Sequence, residues 1–254
     1  MPETKLPVTI NEVLTALDEI IAETVAENNR LGIFAYVYRR TTAKVGEAIL
    51  AGRFEDNQRM ERMDVAFANL YIKAYRDYRQ ERPVSGAWEA SFKASGRRIS
   101  IIQHLMLGMN AHINLDLGQA AALTSPGVEI HKIRNDFMEV NKVLAELTDI
   151  MQKKLGRVSP LMFILDWIGQ RSDEKLVNFS MVKARDFSWR LAEDLASLQG
   201  EELRQRVGRA DSRVRKIAQI LIRPPGILLN LMSKILYLTE EKDVSKMIKK
   251  LELE

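Results

Sequence analysis

With 254 residues, 46% of them hydrophobic, the chain is long enough to bury a sizeable core as one large domain. It contains no cysteine, which excludes disulfides, thiolate metal sites and cysteine nucleophiles. A formal net charge of +4 bears on solubility more than on any one partner. The opening Met1-Pro-Glu-Thr-Lys-Leu-Pro7 lacks a basic stretch followed by an apolar one, and no apolar run reaches the roughly 18 to 20 residues that span a bilayer. A cytoplasmic protein is expected.

In chain order nearly every segment is patterned as helix. Thr9 and Glu12 have capping-box spacing, and Val13, Leu14, Leu17, Ile20, Ile21 and Val25 follow at helical period, predicting a helix over about 10–28. Asn29-Arg-Leu-Gly32 is the expected stop. A second helix runs from Ile33 to Gly52, and a third from Asp56 to about Gln80 carries Met60, Met63, Phe67, Leu70, Ala74 and Tyr78 on one stripe. Pro83-Val-Ser-Gly86 breaks the chain before a short helix with Trp88 and Phe92. After the central segment, an amphipathic helix from Ile130 to Leu155 presents Ile133, Phe137, Val140, Leu144, Leu147 and Met151. A short apolar helix follows Ser159-Pro160, with Phe163, Leu165 and Trp167, and another long helix covers Asp173 to Leu198. The last segment, about 201–250, is basic and then apolar, with Pro224-Pro-Gly226 forcing a turn before a compact apolar helix, 227–238, and a charged tail.

The segment from about 97 to 123 is helical in propensity and apolar on every side, which places it in the middle of a bundle. The predicted fold is therefore all-α, a single multi-helix bundle over 1–254 around a buried central helix. Into that rod the sequence puts His104, Asn110, His112, Asn114 and Asp116, polar groups that cost free energy in a core unless partnered. At about 100° and 1.5 Å per residue, His112 and Asp116 stand one turn apart and can meet each other or one common atom. His104 lies two turns below His112, about 12 Å along the axis and rotated by roughly 80°, so one metal reaches both only if Gly108 kinks the helix. Other groups for a site must come from neighbouring helices: Asp64 beside the third helix's stripe, Glu61 at its edge, and Asp186 next to Val182 and Trp189, with Arg185 or Arg62 as counter-charge.

Two expectations follow. In the first, the protein is an enzyme with a buried His and carboxylate pocket, assisted by a divalent metal and acting on a small apolar or lipid-like molecule. His112, Asp116, Asp64, Asp186 and Arg185 are then the catalytic candidates, and His104, His112, Asp116, Glu61 and Asp64 the metal candidates. In the second, the His and Asp pair is a hydrogen-bonded network that fixes helix register in a non-catalytic binding or scaffold protein. Tyr36, Tyr38, Tyr71, Trp88, Trp167 and Trp189 are expected as core or pocket wall, and His131 as a solvated residue.

Arg204, Arg206, Arg209, Arg213, Arg215, Lys216 and Arg223 face a lone Asp211. No nucleic-acid motif or aromatic platform accompanies them, which argues against nucleic acid. A solvated helix face is the more common role of such a charge run, and contact with a membrane surface, through the apolar run from Ile217 to Met232 beside it, ranks above nucleic acid. There is no phosphate-binding Gly-rich loop, no dinucleotide fingerprint, no nucleophile elbow and no His-Glu-x-x-His. The segment Gln103-His-Leu-Met-Leu-Gly-Met-Asn-Ala-His-Ile-Asn-Leu-Asp-Leu-Gly118, with Arg59 to Asn69 and Ala184 to Trp189, resembles an uncharacterised, mainly bacterial family of α-helical proteins. The resemblance covers about 8–250. It implies an all-α fold and brings no activity with it.

Overall fold

A computed structural model describes residues 5–159 and 181–252. Thr9 Oγ1 accepts from Glu12 N at 3.2 Å and caps α1 (Ile10–Ala26), while Glu12 reaches back to accept from Val8 N at 2.7 Å. The chain leaves α1 at Asn28, whose φ of 50° is left-handed and whose side-chain carbonyl accepts from Val244 N at 2.8 Å. The expected stop at Gly32 is displaced into α2 (Leu31–Leu50). A Cβ on Gly32 would lie 3.1 Å from Thr24 Cβ, so glycine serves the close packing of α1 on α2 rather than termination.

Asp56 caps α3 (Asn57–Arg79), and Ser85 caps α4 (Gly86–Lys93). The start of α4 is held a second time, from far along the chain: the Asp211 carboxylate accepts from Gly86 N and Ala87 N, each at 2.8 Å. The single acid among the arginines is thus a helix cap. Asp211→Ala strands both donors and is expected to lower the unfolding free energy by about 1 to 2 kcal/mol in urea melts. An unchanged midpoint would remove the cap from the account.

The central rod starts at Ser100, later than hydropathy suggests, because Arg97 and Ser100 are extended. Ser100 and Gln103 form a reciprocal capping box, and Gln103 Nε2 donates to Leu221 O at 2.7 Å. The rod is α5 (Ile101–Ala111), a π-helical turn over His112–Asp116, and α6 (Leu117–Thr124). Packed around it are α2, α3, α4, α8 (Met181–Ala196) and α9 (Gly200–Ile222). Gly118 permits close approach of the α8 backbone, since a Cβ there would sit 2.8 Å from the Ser188 carbonyl oxygen. A 3₁₀ turn, Gly127–Ile133, leads into α7 (Arg134–Val158), which lies against α2.

After α10 (Ile227–Thr239), the expected charged tail is instead an amphipathic helix, α11 (Val244–Glu252), burying Val244, Met247, Ile248 and Leu251 against α2 and α7. No strand occurs among the described residues. The predicted helix with Phe163, Leu165 and Trp167, the first part of the helix from Asp173, and the side chains of Leu144, Leu147 and Met151 lie outside the described residues.

Candidate functional site

The π turn places His112 and Asp116 on one face of the rod. His112 Nδ1 and Asp116 Oδ2 share a hydrogen bond of 3.0 Å, and Trp88 Nε1 of α4 donates to the same oxygen at 2.8 Å. Both residues are buried. The imidazole is enclosed by rings: Phe67 stacks on it at 3.6 Å between centroids and 7° between planes, and Tyr38 meets it edge-on at 4.3 Å. Phe34, Tyr71 and Trp88 complete the enclosure at about 6 Å. Phe34 reaches this position because residue 108 is glycine: α5 runs unbroken through it, and a Cβ there would collide with the Phe34 ring. Gly108 therefore makes room for an aromatic wall and does not kink the helix toward His104.

Burial drives the His112 imidazole well below its usual pKa. The same burial drives the Asp116 carboxyl well above its own, with the Trp88 N–H opposing the rise and the Asp211 charge adding to it. Each partner favours its uncharged form.

Asp64 and Arg185 lie within electrostatic reach of each other, and the Asp64 charge also reaches Tyr38 beside His112. Both are buried, and each charge favours the other. Burial still dominates: it raises Asp64 to about 7 despite Arg185, with Glu61 adding to the rise, and lowers Arg185 to about 10 despite Asp64. The guanidinium lies 5.6 Å from the Phe137 ring centroid. Tyr38 Oη and Thr42 Oγ1 face each other, and Asp64 Oδ2, His112 Nε2, Arg185 Nε and Ser188 Oγ are buried atoms without a hydrogen-bond partner among the described residues.

His104 belongs elsewhere. It is buried beside Arg30, whose Nη1 donates to Ile99 O at 2.8 Å, and burial with that neighbouring charge lowers its pKa to about 3. Near Arg30, the buried Glu240 accepts from Ile101 N at 2.8 Å and from Ser159 Oγ at 2.7 Å. Asp186, expected among apolar side chains, is exposed: α8 buries Ala184, Arg185, Ser188 and Trp189, which turns residue 186 outward. Glu61 is half-buried, Arg62 exposed, and the exposed His131 has Nδ1 3.9 Å from Glu193. No group of three or more metal-ligating side chains forms among the described residues. Trp88 is the member that sequence reasoning missed. A buried indole N–H needs an acceptor, and a buried carboxylate needs a donor, which is the signal that joins them.

Also unforeseen was a chain of amides that ties the rod to α9: Asn114 Nδ2 donates to Asn110 Oδ1 at 3.0 Å, and Asn110 Nδ2 to Val214 O at 3.0 Å. These features define an all-α bundle protein built on a polar-centred, aromatic-clad helix. The chain belongs to the family of unknown function DUF5995, which it matches over residues 10–224. No curated protein and no solved structure matches it.

Proposed function

We infer that the chain is a non-catalytic helical binding or scaffold protein in which His112, Asp116 and Trp88 are a structural network. The enclosure of the His112 ring carries this reading. A general base must bring a nitrogen within hydrogen-bond reach of a substrate proton, with a pKa near the working pH. His112 has Phe67 flat against its face, Tyr38 at its edge, and a pKa lowered by burial. Its hydrogen bond to Asp116, and that of Trp88 to the same oxygen, fix α4 to the rod in one register.

One observation favours a second reading, an enzyme or carrier for a small amphipathic molecule: the unpartnered His112 Nε2 and Asp64 Oδ2 offer polar handles in an aromatic setting. One experiment tests the metal-assisted form of that second reading against the scaffold. Chelator-treated protein is assayed for metal per chain, then melted with and without Zn²⁺, Mn²⁺ or Fe²⁺. The scaffold reading expects substoichiometric metal and an unmoved melting temperature. A metal at this centre would add about 2.7 kcal/mol of stability at a hundredfold excess over its Kd, and its loss in His112→Ala would establish the metal-assisted alternative.

A further inference from the structure

The end of α9, the start of α10 and the loop before α5 enclose a cleft of about 400 Å³. Four cations line it: Arg97 and Arg98 from the loop, Arg223 from the turn, and Lys234 from α10. Asn230 and Ser233 add hydrogen-bonding groups, and no carboxylate is among the lining residues. Its geometry is fixed by Gln103, which lines the cleft and donates to Leu221 O. Elsewhere on α9, Arg204 is paired with Glu201 at 2.7 Å and Arg206 with Asp194 at 2.6 Å. The four cleft cations have no ion-pair partner among the described residues, so like charges gather around one concavity.

The adjoining face of α10 is apolar and bare. Ile227, Leu228, Leu231 and Leu238 are 89%, 57%, 52% and 73% exposed, whereas Leu229 and Leu236 are buried on the other side. At about 100° per residue, positions 227, 231, 234 and 238 fall within one narrow sector, so Lys234 stands among the exposed leucines. Gly226, at φ 84°, lets the helix leave the Pro224-Pro225 turn in this direction.

We propose that this surface docks on an anionic phospholipid membrane, with a lipid phosphate held in the Arg97, Arg98, Arg223 and Lys234 cleft and Ile227, Leu228, Leu231 and Leu238 dipping into the acyl boundary. A free phosphate would answer the charge and leave the apolar face unexplained. Nucleic acid would do the same, and no aromatic lines the cleft for base stacking. A 13-residue helix lies along such an interface, and no helix among the described residues is long and apolar enough to cross it. The proposal goes beyond the scaffold reading and stands apart from it, because vesicle binding and the metal titration report on different parts of the molecule.

The full chain is floated with phosphatidylcholine vesicles, with or without about 30% phosphatidylglycerol, in low and high salt. Binding is expected only to the anionic vesicles, and weakening with salt. Each cation near such a surface contributes roughly fivefold to partitioning, so Arg98→Gln with Arg223→Gln is expected to weaken binding by about 25-fold. Leu228→Ser with Leu231→Ser is expected to abolish flotation while circular dichroism stays unchanged. No vesicle binding, equal binding to neutral vesicles, or full binding by the double arginine variant would each overturn the proposal. So would capture of inorganic phosphate or a DNA duplex by a chain that ignores vesicles.

Discussion

Asp116→Ala is expected to lower the unfolding free energy by about 3 to 5 kcal/mol. The alanine leaves the Trp88 indole N–H and His112 Nδ1 without their common partner, Asp116 Oδ2. All three side chains are buried, so no solvent replaces the carboxyl, and each stranded group costs about 1 to 3 kcal/mol before any cavity is counted. Asp116→Asn is the informative control. Burial pushes the carboxyl toward an uncharged form, and an amide of the same shape can place its one oxygen where Asp116 Oδ2 stands and accept there from both Trp88 Nε1 and the N–H of a neutral imidazole protonated on Nδ1. Its expected cost is about 1 kcal/mol. Urea unfolding followed by tryptophan fluorescence measures both. An alanine variant as stable as the parent would end the structural reading of the network, and an asparagine variant as unstable as alanine would show that the folded carboxyl is ionised.

The central helix was legible because it has no wet face, and a chain of this length can surround it with others. The His112 and Asp116 contact was legible from a spacing of four. That a buried carboxylate needs a counter-charge was legible too, but the sequence left Arg185 and Arg62 as alternatives, and only burial of Arg185 with Arg62 exposed separates them. The remainder depends on information that side-chain pattern does not carry. A π turn is a change in backbone hydrogen bonding, and nothing in His112-Ile-Asn-Leu-Asp116 distinguishes it from an α turn. Trp88 and Asp116 are 28 residues apart, and Gly86 and Asp211 are 125 apart, so their meeting is set by tertiary packing. Asp186 misled because a residue flanked by apolar neighbours at helical spacing can still sit beyond the edge of the buried stripe. The glycines misled for a different reason. Sequence places Gly32 in a stop and leaves Gly108 as the condition for a kink, but each makes space for a side chain of the facing helix, which sequence shows only once the partner is known.

Two buried titrating groups are expected to give the protein opposite and nearly cancelling responses to pH, which single variants should unmask. His104 has its pKa lowered from 6.5 to about 3 by burial and by Arg30. Below 6.5 the unfolded chain takes up a proton that the folded chain refuses, so stability is lost as pH falls toward 3. Between pH 6 and pH 4 this amounts to about 2 to 3 kcal/mol. Asp64, raised from 3.8 to about 7, acts in the other sense. Above 3.8 the unfolded chain releases a proton that the folded chain keeps, so stability is lost as pH rises toward 7, again by about 2 to 3 kcal/mol between pH 4 and pH 6. His104→Gln is therefore expected to gain on the parent as pH falls, and Asp64→Asn to gain on it as pH rises. His112 and Asp116 are present in all three proteins and drop out of these differences. Urea melts at pH 4, 5 and 6 read the two slopes directly. Parallel curves for parent and His104→Gln would mean that the His104 imidazole is protonated as readily in the fold as in water, and that the cluster around Arg30 is open to solvent.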